Sequence, residues 1–186
     1  AMHATGWKFW CNHWCNCNKM ILAFDTYYFD NKAKTVCIAF TNWTDEIPAK
    51  IYSEILENIE DYTPGEFYKR ELPCILSLLK QATFNTIEAI VVDGFVYLDD
   101  AKKPGLGGHL FDALNKEIPV IGVAKTNFAT IEKHKQLLLR GNSIKPLYIT
   151  SVGIDLPIAT KHIERMHGEF RIPTLLKHLD RLTKEK

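Results

Sequence analysis

The sequence has no long apolar run and no marked excess of either charge. No apolar stretch reaches the roughly 18 residues that a membrane-spanning helix needs, so a chain that crosses a bilayer is not expected. The formal net charge of +1 does not indicate a partner, because a local basic patch is enough to bind nucleic acid. Internal repeats and low-complexity segments are also missing, so a repeat architecture is not expected either.

The five cysteines do not form a recognisable disulfide or zinc pattern. Cys37 and Cys74 lie in apolar contexts, which is typical of small buried side chains in a reducing compartment, and we therefore expect a cytoplasmic protein. The others fall in residues 7–19, whose metal-binding candidates are Cys11, His13, Cys15 and Cys17. Zinc is one interpretation, but the paired spacing of a structural zinc site is lacking. A non-native or mis-started tail, with Met20 as the natural start, is the other, and we divide the chain into this tail (1–19) and one domain (20–186).

The domain has enough residues for one hydrophobic core, with 46% apolar and 24% charged residues in the 186-residue chain. Hydrophobic periodicity predicts strands over residues 21–29, 35–43, 48–56, 87–92, 119–123 and 147–152, and helices over 67–81, 106–114, 159–166 and 175–182. Residues 132–140 fit either a helix or a charged loop. Three early strands followed by alternating helices and strands predict an α/β fold, in which a mixed sheet is flanked by helices on both faces. This order is that of the ribonuclease H-like fold, with three antiparallel strands and then parallel ones.

Two aspartates interrupt or end strands that are predicted to be buried. Asp25 stands between apolar residues in the first strand, and Asp93 follows the run Ile90-Val91-Val92. An ionised carboxylate is costly in a core unless it is paired or binds a metal, and a hard cation would relieve the repulsion between two of them. Each aspartate could instead cap a turn. For Asp93-Gly94 alone that is the better interpretation, whereas for Asp25 it is a poor one.

Four separated segments resemble the endonuclease V family, and they occur in the family's order. They are Ala23-Phe24-Asp25-Thr26-Tyr27-Tyr28, then Tyr62-Thr63-Pro64-Gly65 through Arg70-Glu71-Leu72-Pro73, then Val92-Asp93-Gly94 leading to Gly105-Leu106-Gly107-Gly108-His109-Leu110, and Ile121-Gly122-Val123-Ala124-Lys125. A looser similarity continues through residues 148–153 and 170–173. The tyrosine-containing turn followed by Arg-Glu is the most specific of these segments.

The resemblance implies a site for Mg²⁺ or Mn²⁺ beside a scissile phosphate. In the family, two strand aspartates and a glutamate hold the metal, and these roles pass to Asp25, Asp93 and Glu71. Spacing alone would leave Glu71 as an exposed acid on a helix. Lys125, at the end of a strand near the same edge, is expected to neutralise negative charge that develops during cleavage, although a plain surface lysine is the alternative.

The resemblance also suggests residues that contact nucleic acid. Tyr62, stiffened by Pro64, is similar to the family's wedge residue, which separates strands at the lesion. Glycines let the backbone approach a base or a phosphate closely, and the candidates are Gly94, Gly107 and Gly108. His109 matches a family histidine but fits equally well as a residue that packs helices together.

The chain departs from the family pattern in two places. Asp99-Asp100 lies in a segment where the family usually has His-Pro-Arg. Near the end, Ile154 stands where we place a family histidine, and the neighbouring Asp155 is a candidate replacement ligand. Asp155 fits equally as the N-cap of a helix.

The resemblance therefore predicts a metal-dependent endonuclease that cuts near deaminated purine, inosine in the family, in DNA or RNA. We expect a monomer without a membrane partner. One alternative is a relative that binds nucleic acid but no longer cuts it. Another is a ribonuclease H-like nuclease for a different nucleic-acid structure.

Overall fold

The computed structural model describes residues 19–57, 67–82, 86–127 and 129–185, which contain one seven-stranded sheet and four helices. The strands are β1 (Met20–Phe29), β2 (Lys32–Phe40), β3 (Lys50–Glu57), β4 (Ile87–Asp93), β5 (Val120–Ala124), β6 (Gln136–Leu138) and β7 (Leu147–Val152). The helices are α1 (Phe67–Gln81), α2 (Leu106–Ala113), α3 (Leu156–Arg165) and α4 (Thr174–Lys184). Within these ranges, no helix is both long and apolar enough to span a membrane.

The sheet has the order β3-β2-β1-β4-β5-β7-β6. The first three strands form an antiparallel meander, and β4 and β5 run parallel to β1. The predicted mixed sheet of the ribonuclease H-like type is thus confirmed. The strands after β5 differ from the parallel arrangement that we expected, because β7 runs antiparallel to β5 and to β6. The ambiguous residues 132–140 contain the short strand β6.

The hairpin between β1 and β2 turns at Asp30 and Asn31, which have φ values of 46° and 57°. Positive φ at both central residues is the geometry of a tight hairpin turn whose twist matches the flanking strands, and Asn and Asp tolerate it best among residues with a side chain. The predicted turn is therefore present, and it fixes the register that pairs Asp25 with Val36.

Alternate residues of the central strands supply two separate cores. Ile21 and Ala23 of β1 pack on the face that α3 and α4 cover, whereas Leu22 and Phe24 pack on the face that α1 and α2 cover. Burial on both faces explains why these strands are nearly continuous apolar runs. Because β1, β4 and β5 are parallel, their carboxyl ends meet at one edge of the sheet, and the polar residues there are the ones that interrupt the apolar pattern.

Candidate active site

Asp25 and Asp93 lie side by side at this edge. The Cα partner of Phe24 in β1 is Val92 in β4, so the next residues of the two strands are neighbours, and both line one small cavity. Burial, followed by the negative charge of Asp93, raises the pKa of the Asp25 carboxyl to about 6. One stabilising contact is local, since the Thr26 N–H donates to Asp25 Oδ1 at 2.9 Å. The predicted pairing of these two aspartates on adjacent strands is therefore present.

Glu71 approaches the same edge from the other face of the sheet. It lies on α1 and is only 2% exposed, so it is not the exposed helix acid that spacing alone indicated. Burial raises its pKa well above the usual value, and the charges of Asp25 and Asp93 add to the effect. Its Oε2 atom has no hydrogen-bond partner among the described residues. A buried carboxylate oxygen of this kind costs free energy that a bound cation would recover.

Lys125 directly follows β5 and supplies positive charge to the cluster. Its Nζ lies 2.8 Å from Asp93 Oδ2 and 3.5 Å from Asp180 Oδ1. Partial burial lowers the pKa of this ammonium group, but the nearby carboxylates, with Asp93 first, outweigh that effect and raise it. The backbone here is held by Arg171, whose Nη2 donates to the carbonyl oxygens of Lys125 and Pro146. Lys125 is thus a partly buried member of the cluster rather than a free surface lysine.

Asp180, on α4, is a member of the site that sequence reasoning missed. It pairs with Lys125 and with Lys184, at 2.7 Å, and its charge contributes to the raised pKa of Asp25. Charged residues on a surface helix are usually solvated, so the charge pattern alone gave no reason to select it. Asp180 lies four residues after Leu176, on the helix face whose leucines line the cavity, but only the structure shows that cavity.

The donor set is chemically suited to a hard divalent cation. Carboxylate oxygens are the ligands that Mg²⁺ and Mn²⁺ accept, and the unsatisfied Glu71 Oε2 and the raised pKa of Asp25 both indicate that the surroundings do not stabilise the charged carboxylates well. In the arrangement seen here, no three His, Cys, Asp or Glu side chains of the described ranges converge closely enough to hold an ion. Asp93 and Asp180 are instead bridged by the Lys125 ammonium group.

Asp155 lies elsewhere, which corrects its predicted role as a ligand. Val123 in β5 pairs with both Asp93 and Ile149, whereas Val120, at the start of β5, pairs with Val152. Because β7 is antiparallel to β5, the residues after Val152 lie at the opposite edge of the sheet from the carboxylates. Asp155 is the N-cap residue of α3, and its carbonyl oxygen accepts a hydrogen bond from the Ala159 N–H at 2.9 Å. Asp155 thus occupies the N-cap position that we named as its alternative, although its side chain makes no capping hydrogen bond within the described structure.

The backbone N–H groups of the three candidate glycines already have hydrogen-bond partners. Those of Gly107 and Gly108 donate to the carbonyl oxygens of Phe95 and Val96, at 3.2 and 3.1 Å, and that of Gly94 donates to Val123 at 3.3 Å. A Cβ on Gly108 would lie 2.7 Å from the Val96 carbonyl oxygen. Gly107 and Gly108 therefore let α2 pack closely against the loop that follows β4, and the contact of these glycines with a base or phosphate stays a prediction.

His109 packs helices together, as one of its two interpretations proposed. Its ring stacks on that of Tyr68 with centroids 3.6 Å apart, joining α2 to α1. Partial burial lowers the pKa of the imidazole. The predicted wedge residues Tyr62 and Pro64 and the cysteine-containing segment 7–19 (apart from Lys19) lie outside the described residues.

The acidic pair Asp99-Asp100 serves the loop that follows β4. Asp99 Oδ1 accepts from the Lys103 N–H at 2.9 Å, and Asp100 Oδ1 accepts from the N–H groups of Glu132 and Lys133. Asp99 therefore stabilises its own loop, and Asp100 joins that loop to residues 132–133.

Comparisons with known proteins identify the family and support the fold. The family model for endonuclease V matches residues 11–181, and so begins inside the segment that we assigned to a tail. Human ENDOV is 20% identical over 91% of this chain and 84% of its own, with a TM-score of 0.71. Endonuclease V from Streptomyces avermitilis is 20% identical over 90% and 81% of the chains, with a TM-score of 0.67.

A third structure contains a nucleic acid. It is Ciona intestinalis endonuclease V in complex with a 24mer DNA containing an inosine followed by a ribo-adenosine, which is 17% identical over 89% of this chain and 84% of its own, with a TM-score of 0.72. A search of curated proteins found no significant match. With the family model spanning nearly all of the sheet and every carboxylate described above, the chain belongs to the endonuclease V family of endonucleases.

Proposed function

We propose that this protein is a divalent-metal-dependent endonuclease that hydrolyses a phosphodiester bond near inosine in DNA or RNA. The observation that carries the proposal is the placement of Asp25, Glu71 and Asp93 at one edge of the sheet, with raised pKa values for Asp25 and Glu71. Family membership supports the reaction class. Support for inosine comes from the Ciona protein, whose bound DNA contains that base.

The carboxylates are the residues that would hold Mg²⁺ or Mn²⁺. Asp25 and Asp93 offer oxygens on one face of the sheet edge, Asp180 adds one from α4, and Glu71 adds one from the other face. A cation bound there supplies Lewis acidity toward a phosphodiester and makes water a better nucleophile. Its charge would also offset the cost of burial and the repulsion from Asp93, which together raise the pKa of Asp25.

Lys125 contributes through its charge. The ammonium group contacts Asp93 directly, so a phosphate drawn to this edge would meet a fixed positive charge 2.8 Å from that carboxylate. Such a charge stabilises the additional negative charge on phosphate oxygens as the bond breaks. Tyr62 keeps its proposed role as the residue that wedges into the substrate, because an aromatic ring stacks on bases that have lost their neighbours.

Cleavage of a defined substrate panel tests the proposal. End-labelled single- and double-stranded DNA and RNA, each with one inosine or with guanosine at the same position, are incubated with the full chain and Mg²⁺ or Mn²⁺. We expect inosine-dependent cutting that EDTA abolishes. Asp25→Asn keeps the side-chain volume but removes the charge, and it should lower the rate at least about 100-fold.

Asp112→Asn is the matched control, since Asp112 is an exposed acid that pairs only weakly, at 3.6 Å, with Lys116. It should cut at the wild-type rate. Absence of cutting by the wild-type protein on every substrate with either metal would reject the activity.

A binding protein without nuclease activity is the second candidate. The observation that favours it is the Lys125 ammonium group, which already neutralises Asp93 and Asp180 in part. Titration with Mn²⁺, followed by electron paramagnetic resonance of the free ion, separates the two candidates. A nuclease should bind Mn²⁺ in the wild-type form and lose that binding in Asp25→Asn, whereas a simple binding protein should bind none.

A further inference from the structure

Phe170 is a large aromatic side chain exposed to solvent beside the candidate active site. Its ring is 72% exposed and lies on the wall of a cleft of about 540 Å³. Ile172 lines this cleft and also lines the cavity that contains Asp25 and Asp93. The neighbouring Arg171 donates to the backbone of Lys125, so Phe170 is one residue away from a direct contact with the catalytic edge.

The loop that carries this ring has a backbone held by hydrogen bonds. Arg140 is only 6% exposed, and its guanidinium group donates to the carbonyl oxygens of Met166 at 2.6 Å, Gly168 at 3.0 Å and Phe170 at 2.7 Å. Gly141 completes the packing, since a Cβ there would lie only 2.1 Å from the Glu169 carbonyl oxygen. A buried arginine that fixes three carbonyl groups leaves the loop backbone few alternatives, so the point from which the ring projects is fixed.

One exposed lysine beside the ring is placed to contact a phosphate group. The Lys177 Nζ lies 5.5 Å from the centroid of the Phe170 ring and is free to reach a phosphate, because this side chain is exposed. Glu169 is the opposing charge in the cleft, and it is also exposed. Asn142, which also lines the wall, carries an amide group that can donate hydrogen bonds, whereas the Ser143 hydroxyl already donates to the Lys145 carbonyl oxygen.

We propose that Phe170 is a stacking platform for an unpaired base of the substrate strand, next to the scissile phosphate, with Lys177 contacting the backbone of that strand. The inference rests on the proposed nuclease function and extends it, because it assigns a subsite for single-stranded nucleic acid outside the carboxylate cluster. Stacking on an aromatic ring accepts every base, so this subsite adds affinity without selecting a sequence.

The test uses the full chain and inosine-containing single-stranded DNA that carries one 2-aminopurine, moved through the positions that flank the inosine. We expect one position at which wild-type protein quenches the 2-aminopurine fluorescence, and we expect Phe170→Leu to lose that quenching. Removal of one base–aromatic stack corresponds to roughly 10-fold weaker binding, so the Kd from fluorescence anisotropy in EDTA and the KM for cleavage should both rise by about that factor. The kcat should change less than about twofold. Phe170→Trp should restore both constants.

Leu137→Ser is the control, because Leu137 is also an exposed apolar residue, 59% exposed, but lies on β6 and lines a different cavity. It should bind and cut like the wild type. Unchanged Kd, KM and quenching in Phe170→Leu would overturn the platform, as would an equal loss in the control. If wild-type protein cuts nothing, yet Phe170→Leu still weakens binding about tenfold, the platform stands and the nuclease proposal fails.

Discussion

Among single residues, the site contains carboxylic acids whose charged forms are disfavoured by burial and by neighbouring negative charge. Asp25 has a pKa near 6, Glu71 is buried with one oxygen unsatisfied, and the carboxylate of Asp93 has Lys125 as a partner. Functional sites commonly concentrate such perturbed groups, because the geometry that serves chemistry opposes the charged form before a ligand arrives. The metal-free protein should therefore be less stable than it would be without these charges.

Asp25→Asn should stabilise the metal-free protein above pH 6. The pKa of Asp25 is about 6 in the folded chain and 3.8 is its usual value, so the folded state binds more protons between these values and stability falls as pH rises through this window. We expect a gain on the order of 1–3 kcal/mol at pH 7.5 in EDTA. Chemical denaturation measures it, with Asp112→Asn as control.

The gain should shrink to zero as the pH falls below 4, where the wild-type carboxyl is protonated in both states. A variant that is less stable than wild type at pH 7.5 would contradict the assignment of a strained carboxylate at this position.

Lys125→Met should lower the cleavage rate and leave the stability of the fold nearly unchanged. The ammonium group and its partners are each more than a third exposed, so its loss should change the free energy of unfolding by less than about 1 kcal/mol. The cleavage rate should fall about 10²–10³-fold, as when one fixed charge-stabilising group is removed from an active site. Lys116→Met, which removes an exposed lysine, should leave both quantities unchanged. A fall in stability that matches the fall in activity would indicate a purely structural lysine.

At the scale of elements, the strands and helices were largely predictable, and the failures have physical causes. The apolar runs of β1, β4 and β5 are diagnostic because both of their faces are buried. The direction of β7 was not predictable, since strand direction depends on how the chain returns to the sheet and leaves no periodic signal. Because β7 runs antiparallel to β5, Asp155 lies at the end of the strands away from the carboxylates.

Helix α2 depends on small residues where it meets the loop after β4. Gly108→Ala would place a Cβ 2.7 Å from the Val96 carbonyl oxygen, a backbone atom that cannot move aside easily. We expect a loss of about 1–3 kcal/mol in the free energy of unfolding, as in other overpacked cores. Urea denaturation measures this, and Asp112→Ala on the exposed side of the same helix should change stability by less than about 0.5 kcal/mol. Equal stability of Gly108→Ala and wild type would mean that α2 packs less closely than described.

At the scale of the whole molecule, the site joins parts of the chain that are far apart in sequence. Asp25 and Asp93 were predictable because each breaks an apolar run, and Glu71 was found through family resemblance alone. Asp180 was missed because only the packing of α4 across β1 and β2 brings it to the same edge. Long-range placement of this kind cannot be read from local periodicity.

Metal binding should therefore stabilise the entire fold. A ligand at 100 times its Kd that binds only the folded state adds about 2.7 kcal/mol, and for a chain of this size each kcal/mol raises Tm by roughly 2–4 °C. We expect Mn²⁺ to raise the Tm in a thermal-shift experiment and the double variant Asp25→Asn/Asp93→Asn to lose the effect. A rise that persists in the double variant would place the bound ion elsewhere.

The antiparallel direction of β7 also provides a position at which the protein can be attached to a support. Asp155 and the exposed Gly153 lie at the opposite end of the strands from the carboxylates, and the Asp155 side chain makes no capping hydrogen bond within the described structure. A short peptide tag inserted there to tether the protein to a bead would leave the carboxylate edge facing away from the support and open to long nucleic acids.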